Sequence, residues 1–227
     1  YLAATEGQLV GGDFYDVIRR DDGSALLVVG DVQGKGIEAA TLTSACRHTL
    51  RAAALAGGSP AEMLARANEA LLYADEERLT ALGVASVRFA TAAVVAVTPE
   101  GEGFRAVVAS GGHPPPVRIK TDGAIDLVSA DGPLLGVFPT ARFEERSLDL
   151  ALGDVVVLYT DGVTERRTDP ELFDEHQLGR FVRNQLAARR ADVVAQQILD
   201  TVVGLSPRET RDDIALVVAR VVGPPKP

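Results

Sequence analysis

The sequence predicts an α+β chain in which antiparallel sheets are covered by helices, and three observations carry that prediction. Hairpin signals recur: Asp22-Gly23, Pro99-Glu100-Gly101 and Thr121-Asp122-Gly123 each separate two runs of β-favouring residues. Apolar residues fall at helical spacing in two well-separated pairs of segments, within residues 37–73 and 171–203. Val155-Val156-Val157-Leu158-Tyr159 is apolar at every position, the signature of a strand buried on both faces. With 227 residues and 46% hydrophobic composition the chain can build one substantial core, and no Pro-rich or Ser/Gly-rich linker divides it. A single domain is expected over residues 1–222, with 223–227 as a tail or linker.

The first hairpin joins Tyr15-Asp16-Val17-Ile18 to Ala25-Leu26-Leu27-Val28-Val29 across Asp22-Gly23. Folding there brings Asp13 back beside Asp31, because both lie at comparable distances from the turn. Carboxylates that close repel unless a cation sits between them, and oxygen-rich clusters suit hard divalent ions such as magnesium or manganese. After Gly36 the period changes: Ile37, Ala40, Leu42, Ala45 and Leu50 mark a helix that ends at Gly57-Gly58. Ser59-Pro60-Ala61-Glu62 supplies an N-cap, a proline at the first helical position and an acid in the first turn, opening a second helix to about Tyr73. Residues 75–85 read as a polar connection.

Residues 89–97 and 104–110 form the next hairpin. Pro114-Pro115-Pro116 cannot sit inside a central strand, so Gly111-Gly112-His113 is a loop at a strand end. Residues 117–120 and 124–128 pair, a loop at Asp131-Gly132-Pro133 follows, and residues 143–150 make a strand before the turn at Gly153-Asp154. The apolar run then ends in Thr160-Asp161-Gly162. Helices are expected at residues 171–189 and 192–203, and a last strand at 214–222 is introduced by Arg211-Asp212-Asp213.

Composition excludes several functions. A net charge of −9, 5% aromatics and no Trp argue against a nucleic-acid partner, and with it a metal-dependent nuclease. One cysteine, Cys46, allows no internal disulfide framework and no cysteine-based zinc site; it reads as a packing residue in a reducing, cytoplasmic setting. No apolar run approaches the roughly 18–20 residues that span a bilayer, and no leader precedes the first motif. The abrupt start at Tyr1 fits a domain cut from a longer protein.

Four acidic sites share one placement: Asp13 near the start of a strand, Asp31 and Asp161 at strand ends, and Asp212-Asp213 before the last strand. A partly desolvated carboxylate is unfavourable without a counter-ion. Each site alone has a bland reading, since Asp161-Gly162 is a turn dipeptide, Asp13 could cap a turn and Asp212 could be solvated. Four together in one domain favour a metal site. His113 and Lys35 are candidates for substrate binding, against the alternatives of a packed loop histidine and a solvated lysine. Asp16 and Asp154 read as turn or supporting groups. A nucleotide-binding P-loop at Gly34-Lys35 fails because Val29 stands where its first glycine belongs and Gly36 replaces the hydroxyl residue.

The ordered motifs GGDFYD, GDVQGKG-IEAA, ASGGHPPP, GPLLGV, LYTDGVTE and RDDIALVV closely resemble the SpoIIE-type branch of the metal-dependent serine/threonine protein phosphatases, the type 2C class, over essentially the whole chain. The resemblance implies a four-layer αββα sandwich: two mainly antiparallel sheets flanked by helix pairs, with two divalent metals, manganese or magnesium, at one end. It implies that Asp31 bridges both metals with the Val32 carbonyl as a further ligand, and that Asp161 and Asp212 hold one metal, Asp213 being the alternative to Asp212. Asp13 would contribute directly or through water. The activity implied is hydrolysis of a phosphoserine or phosphothreonine monoester by a water held between the metals, with Asp31 and Asp161 acting through that water. The implied substrate is a phosphorylated anti-sigma-factor antagonist in a bacterial stress or developmental circuit. Residues 37–73, opened by Ile37 and closed by Tyr73, correspond to the family's regulatory switch, on which a regulatory domain, an activator protein or homodimerisation would act. A clear N-terminal arginine for the substrate phosphate is missing. The competing expectation is a catalytically silent signalling domain of the same fold.

Overall fold

The computed structural model describes residues 2–3, 11–82, 88–101, 103–165, 167–168, 171–185, 190–205 and 213–223. Two five-stranded sheets form its centre. One runs in the order β2 (Asp13–Arg19), β3 (Ala25–Val32), β4 (Ala90–Glu100), β5 (Gly103–Gly111), β8 (Glu145–Leu150). The other has the order β1 (Leu2–Ala3), β12 (Ile214–Arg220), β9 (Val155–Tyr159), β6 (Val117–Ile119), β7 (Ile125–Leu127). All their pairings are antiparallel. Helices α1 (Ile37–Leu55) and α2 (Pro60–Leu82) cover the first sheet; α4 (Glu175–Asn184) and α5 (Ala191–Leu205) cover the second. A single turn, α3 (Asp161–Thr164), follows β9, and β10 (Arg167–Thr168) pairs with β11 (Glu171–Leu172). This is the expected αββα sandwich.

Strand alternation builds its three apolar layers. In β3, Leu26, Val28 and Val32 face α1 and α2, while Leu27 and Val29 face the other sheet. In β9, Val155, Val157 and Tyr159 face α4 and α5, while Val156 and Leu158 meet the first sheet. That double burial is why the run has no polar residue. On α1 the buried residues Leu42, Cys46, Leu50 and Ala54 recur every four positions. Cys46 is fully buried, and burial pushes its thiol up to about 12, so it packs rather than reacts.

Several boundaries differ from the sequence expectation. Helix α2 continues to Leu82, because the segment after Tyr73, Ala74-Asp75-Glu76-Glu77-Arg78-Leu79, consists largely of good helix formers; residues 83–85 of the expected connection lie outside the described residues. Pro99 sits inside β4, which is tolerable because pairing with β3 ends at Val97 and no ladder partner needs its missing N–H. The helix expected from Glu171 starts only at Glu175: Glu171 and Leu172 pair with β10, and Asp174 caps the helix by accepting from the Gln177 N–H at 2.7 Å.

Candidate metal centre

The register of β2 against β3 places Asp13 directly opposite Asp31, and β4 places Thr91 on the other side of Asp31. The second sheet brings its own acids to the same end. Asp161 opens α3 directly beyond β9, and Asp213 immediately precedes β12, the neighbour of β9. Gly12, Asp13, Asp31, Val32, Gly34, Lys35, Asp161 and Asp213 line one pocket of about 150 Å³. The carboxylates lie at graded depth: Asp13 is buried, Asp31 and Asp213 are half-buried and Asp161 is exposed. Two glycines permit this convergence. A Cβ on Gly12 would stand 2.1 Å from the Val32 carbonyl oxygen and 2.5 Å from Asp31 Oδ1, and one on Gly162 would stand 2.0 Å from the Asp213 carbonyl oxygen.

Electrostatically the charged form of Asp13 is disfavoured in this cluster. Burial pushes the Asp13 carboxyl up to about 8; the Thr160 hydroxyl counters this, while the charges of Asp31, Asp161 and Asp213 add to it. The donors are all hard oxygens, which fits magnesium or manganese rather than a soft metal. Among the described residues no group of three or more His, Cys, Asp or Glu side chains is placed to hold a metal ion. Magnesium is commonly bound through only one or two carboxylates and keeps several waters. On its donor chemistry and the backbone cradle around it, the pocket fits divalent cations.

The structure thus brings together Asp13, Asp31, Val32, Asp161, Lys35 and Asp213, whereas Asp212 lies outside the described residues. Lys35 is exposed at the rim, in a loop where Gly34 and Gly36 both have positive φ. His113 does not line the pocket. It is buried, its Nε2 lies 3.0 Å from the Tyr159 carbonyl and its Nδ1 lies 2.8 Å from Thr91 Oγ1. The Ser110 hydroxyl accepts from the His113 N–H and donates to its carbonyl. Burial holds the imidazole down to about 4, so it is neutral, and its two ring nitrogens are engaged by Thr91 of one sheet and Tyr159 of the other. The structure thus places His113 beside the pocket's supporting strands and not in its lining.

Sequence reasoning passed over Thr160. Its hydroxyl lies 2.6 Å from Asp13 Oδ2, and the residue is wholly buried. The signal available was its position, immediately before Asp161-Gly162 at the end of the buried strand. Asp16 and Asp154 do not line the pocket and are held by Arg51 and Arg118 respectively.

Residues 21–222 match the family model described as Stage II sporulation protein E (SpoIIE). The chain is 26% identical over 212 residues to "Phosphoserine phosphatase RsbU" of Bacillus subtilis, covering 93% of this chain and 59% of that protein. Its structure is similar to that of the RsbU and RsbW domains of Rv1364c from Mycobacterium tuberculosis, with a TM-score of 0.76 and 29% identity over 98% of this chain and 58% of that one. It shares its fold with the PP2C phosphatase domain of SpoIIE from Bacillus subtilis, with a TM-score of 0.75 and 19% identity over 100% of this chain and 61% of that one. The chain therefore spans about three-fifths of the length of each of these three proteins. With the family model covering most of its length and the acidic motifs gathered at one end of an αββα sandwich, the chain belongs to the SpoIIE family.

Proposed function

We propose that the chain is a metal-dependent protein serine/threonine phosphatase acting on a phosphoserine or phosphothreonine monoester. The observation that carries this reading is the pocket into which two sheets deliver four carboxylates, one of them, Asp13, buried beside three like charges. Asp31, the Val32 carbonyl, Asp161 and one of Asp212 and Asp213 would hold two divalent cations, with Asp13 supporting the cluster. Such ions supply Lewis acidity that activates water and offsets phosphate charge. Asp31 and Asp161 project from different sheets and so fix the position of the reacting groups. Lys35, exposed at the rim, attracts the phosphate of an incoming phosphoprotein. No cysteine lines the pocket, so no covalent thiol intermediate is required.

The similarity to a phosphoserine phosphatase and to a structure holding RsbU and RsbW domains supports a phosphorylated anti-sigma-factor antagonist as substrate, in a cytoplasmic regulatory circuit. Among the described residues no helix is long and apolar enough to cross a membrane. Residues 1–222 act as one phosphatase unit, and residues 37–73 on α1 and α2 receive the signal of a regulatory domain, activator or second copy. Hydrolysis of p-nitrophenyl phosphate and of a phosphoserine peptide with Mn²⁺ tests the reading. The wild type is expected to turn over both and Asp31→Asn and Asp161→Asn neither. Unchanged activity in both variants would remove the site assignment, and an inert wild type that still binds Mn²⁺ would favour a silent signalling domain.

A further inference from the structure

From the hydrogen bonds at the end of β9 we infer that Thr160 is the positioning residue that aims Asp13 into the pocket. The inference rests on the proposed metal centre and adds to it a residue that no ligand role covers. The geometry favours one orientation of the Thr160 hydroxyl, with Asp13 the nearer acceptor at 2.6 Å against 3.3 Å. Its oxygen accepts from the Ala215 N–H at 2.9 Å, so its proton must leave in another direction. Two acceptors are near: Asp13 Oδ2 at 2.6 Å and the Ala215 carbonyl at 3.3 Å. The Ala215 carbonyl already accepts the Thr160 N–H at 2.9 Å. The proton therefore goes to Asp13, and β12 locks the rotor that delivers it. Residue 160 is anchored by its own backbone and side chain to β12, and through Asp13 it reaches across to β2 in the other sheet.

The choice of a hydroxyl has a chemical consequence. A Lys or Arg in this place would fix Asp13 equally well but would cancel its charge, leaving less for a cation. An O–H donor occupies one lone pair of Oδ2, stabilises the ionised carboxylate and leaves its full negative charge available. Asp13 is thereby oriented by a group that carries no charge of its own.

The test is Mn²⁺ binding, followed by the EPR signal of the free ion, with no substrate present. Thr160→Val keeps the shape and removes the donor, and is expected to weaken Mn²⁺ binding by about tenfold, as loss of a ligand-orienting partner typically does. Thr160→Ser keeps the donor and is expected to stay within about threefold of wild type. In an Asp13→Asn background, Thr160→Val should produce no further loss, since the residue acts through Asp13. A folded Thr160→Val protein with wild-type Mn²⁺ affinity would overturn the inference, as would a Thr160→Ser protein as weak as Thr160→Val or an undiminished loss in the Asp13→Asn background. If Thr160→Val does not fold, Thr160→Cys, a much weaker donor, takes its place with the same expectation. Wild-type protein that binds Mn²⁺ no better than Asp31→Asn would defeat the metal-centre reading and this inference together; normal wild-type binding with an unaffected Thr160 variant defeats this one alone.

Discussion

The two ends of β9 each carry a carboxylate on the turn beside the strand, yet the protein treats them oppositely. At the entrance, Asp154 is 1% exposed and completely satisfied: Arg118 donates through Nε at 3.1 Å and Nη2 at 2.6 Å, and the Thr121 and Ala151 N–H groups donate at 3.1 and 3.2 Å. At the exit, Asp161 joins Asp13, Asp31 and Asp213 around a pocket, and Asp13 is pushed up mainly by burial, with the other carboxylates adding and the Thr160 hydroxyl as its counterweight. A buried charge needs a counter-ion. Where an arginine grips the aspartate it ties elements together; where several carboxylates and the rim residue Lys35 share one pocket, they form a site that suits a cation from solution. Asp16, gripped by both arms of Arg51 from α1, repeats the first pattern within the same strand that carries Asp13.

The difference can be broken experimentally, beginning with its largest expected consequence. Asp31→Asn should lower phosphatase activity by more than about 100-fold, beyond what loss of a residue that merely orients a ligand costs, while leaving the metal-free protein folded in urea titrations. Asp154→Ala should do the reverse, costing about 3 kcal/mol of stability by leaving Arg118 only its 3.8 Å contact with Asp126, while Mn²⁺ still raises the Tm as in wild type. Loss of that Mn²⁺ response in Asp154→Ala would show that both ends of β9 serve the metal centre and that the contrast is false.

His113 sharpens the comparison as a third kind of buried polar group, neutral and bonded at both ring nitrogens. Its folded-state value is depressed to about 4 from an ordinary 6.5, so the unfolded chain binds the extra proton between those limits. Its stabilisation is present above pH 6.5 and is lost as pH falls toward 4, by up to about 3 kcal/mol. Chemical denaturation from pH 7 to 4.5 should give a shallower decline for His113→Gln than for wild type, and an identical slope would remove the neutral-strut reading. The smallest expected effect is at Gly162, where a Cβ would press on the Asp213 carbonyl at 2.0 Å. Gly162→Ala should shift the start of β12 and weaken Mn²⁺ binding by about tenfold, roughly 1.4 kcal/mol, measured by calorimetric titration.

What could be read in the chain was whatever rests on local pattern. The position of Asp22-Gly23 set the pairing of Asp13 with Asp31, because a tight turn between two alternating strands leaves one register in which their apolar faces agree. The apolar run at 155–159 announced a strand buried on both faces, and Ser59-Pro60-Ala61-Glu62 announced the start of α2. The end of α2, the brief β10–β11 pairing and the tolerance of Pro99 were not legible, since each depends on which neighbour is present or absent. The aspartates themselves looked alike in sequence, each a small acid beside a glycine or at a strand end.

By itself, then, the sequence determined the alternation, the turns and the supply of acids, because side-chain period and backbone restriction act over a few residues. Only the tertiary structure decided which aspartate met an arginine and which met other aspartates. Arg118 reaches Asp154 across 36 positions and Thr160 reaches Asp13 across 147, and such contacts are fixed by how two sheets stack, not by any local signal. The same stacking turned His113 inward, where its ring bridges Thr91 of one sheet and Tyr159 of the other.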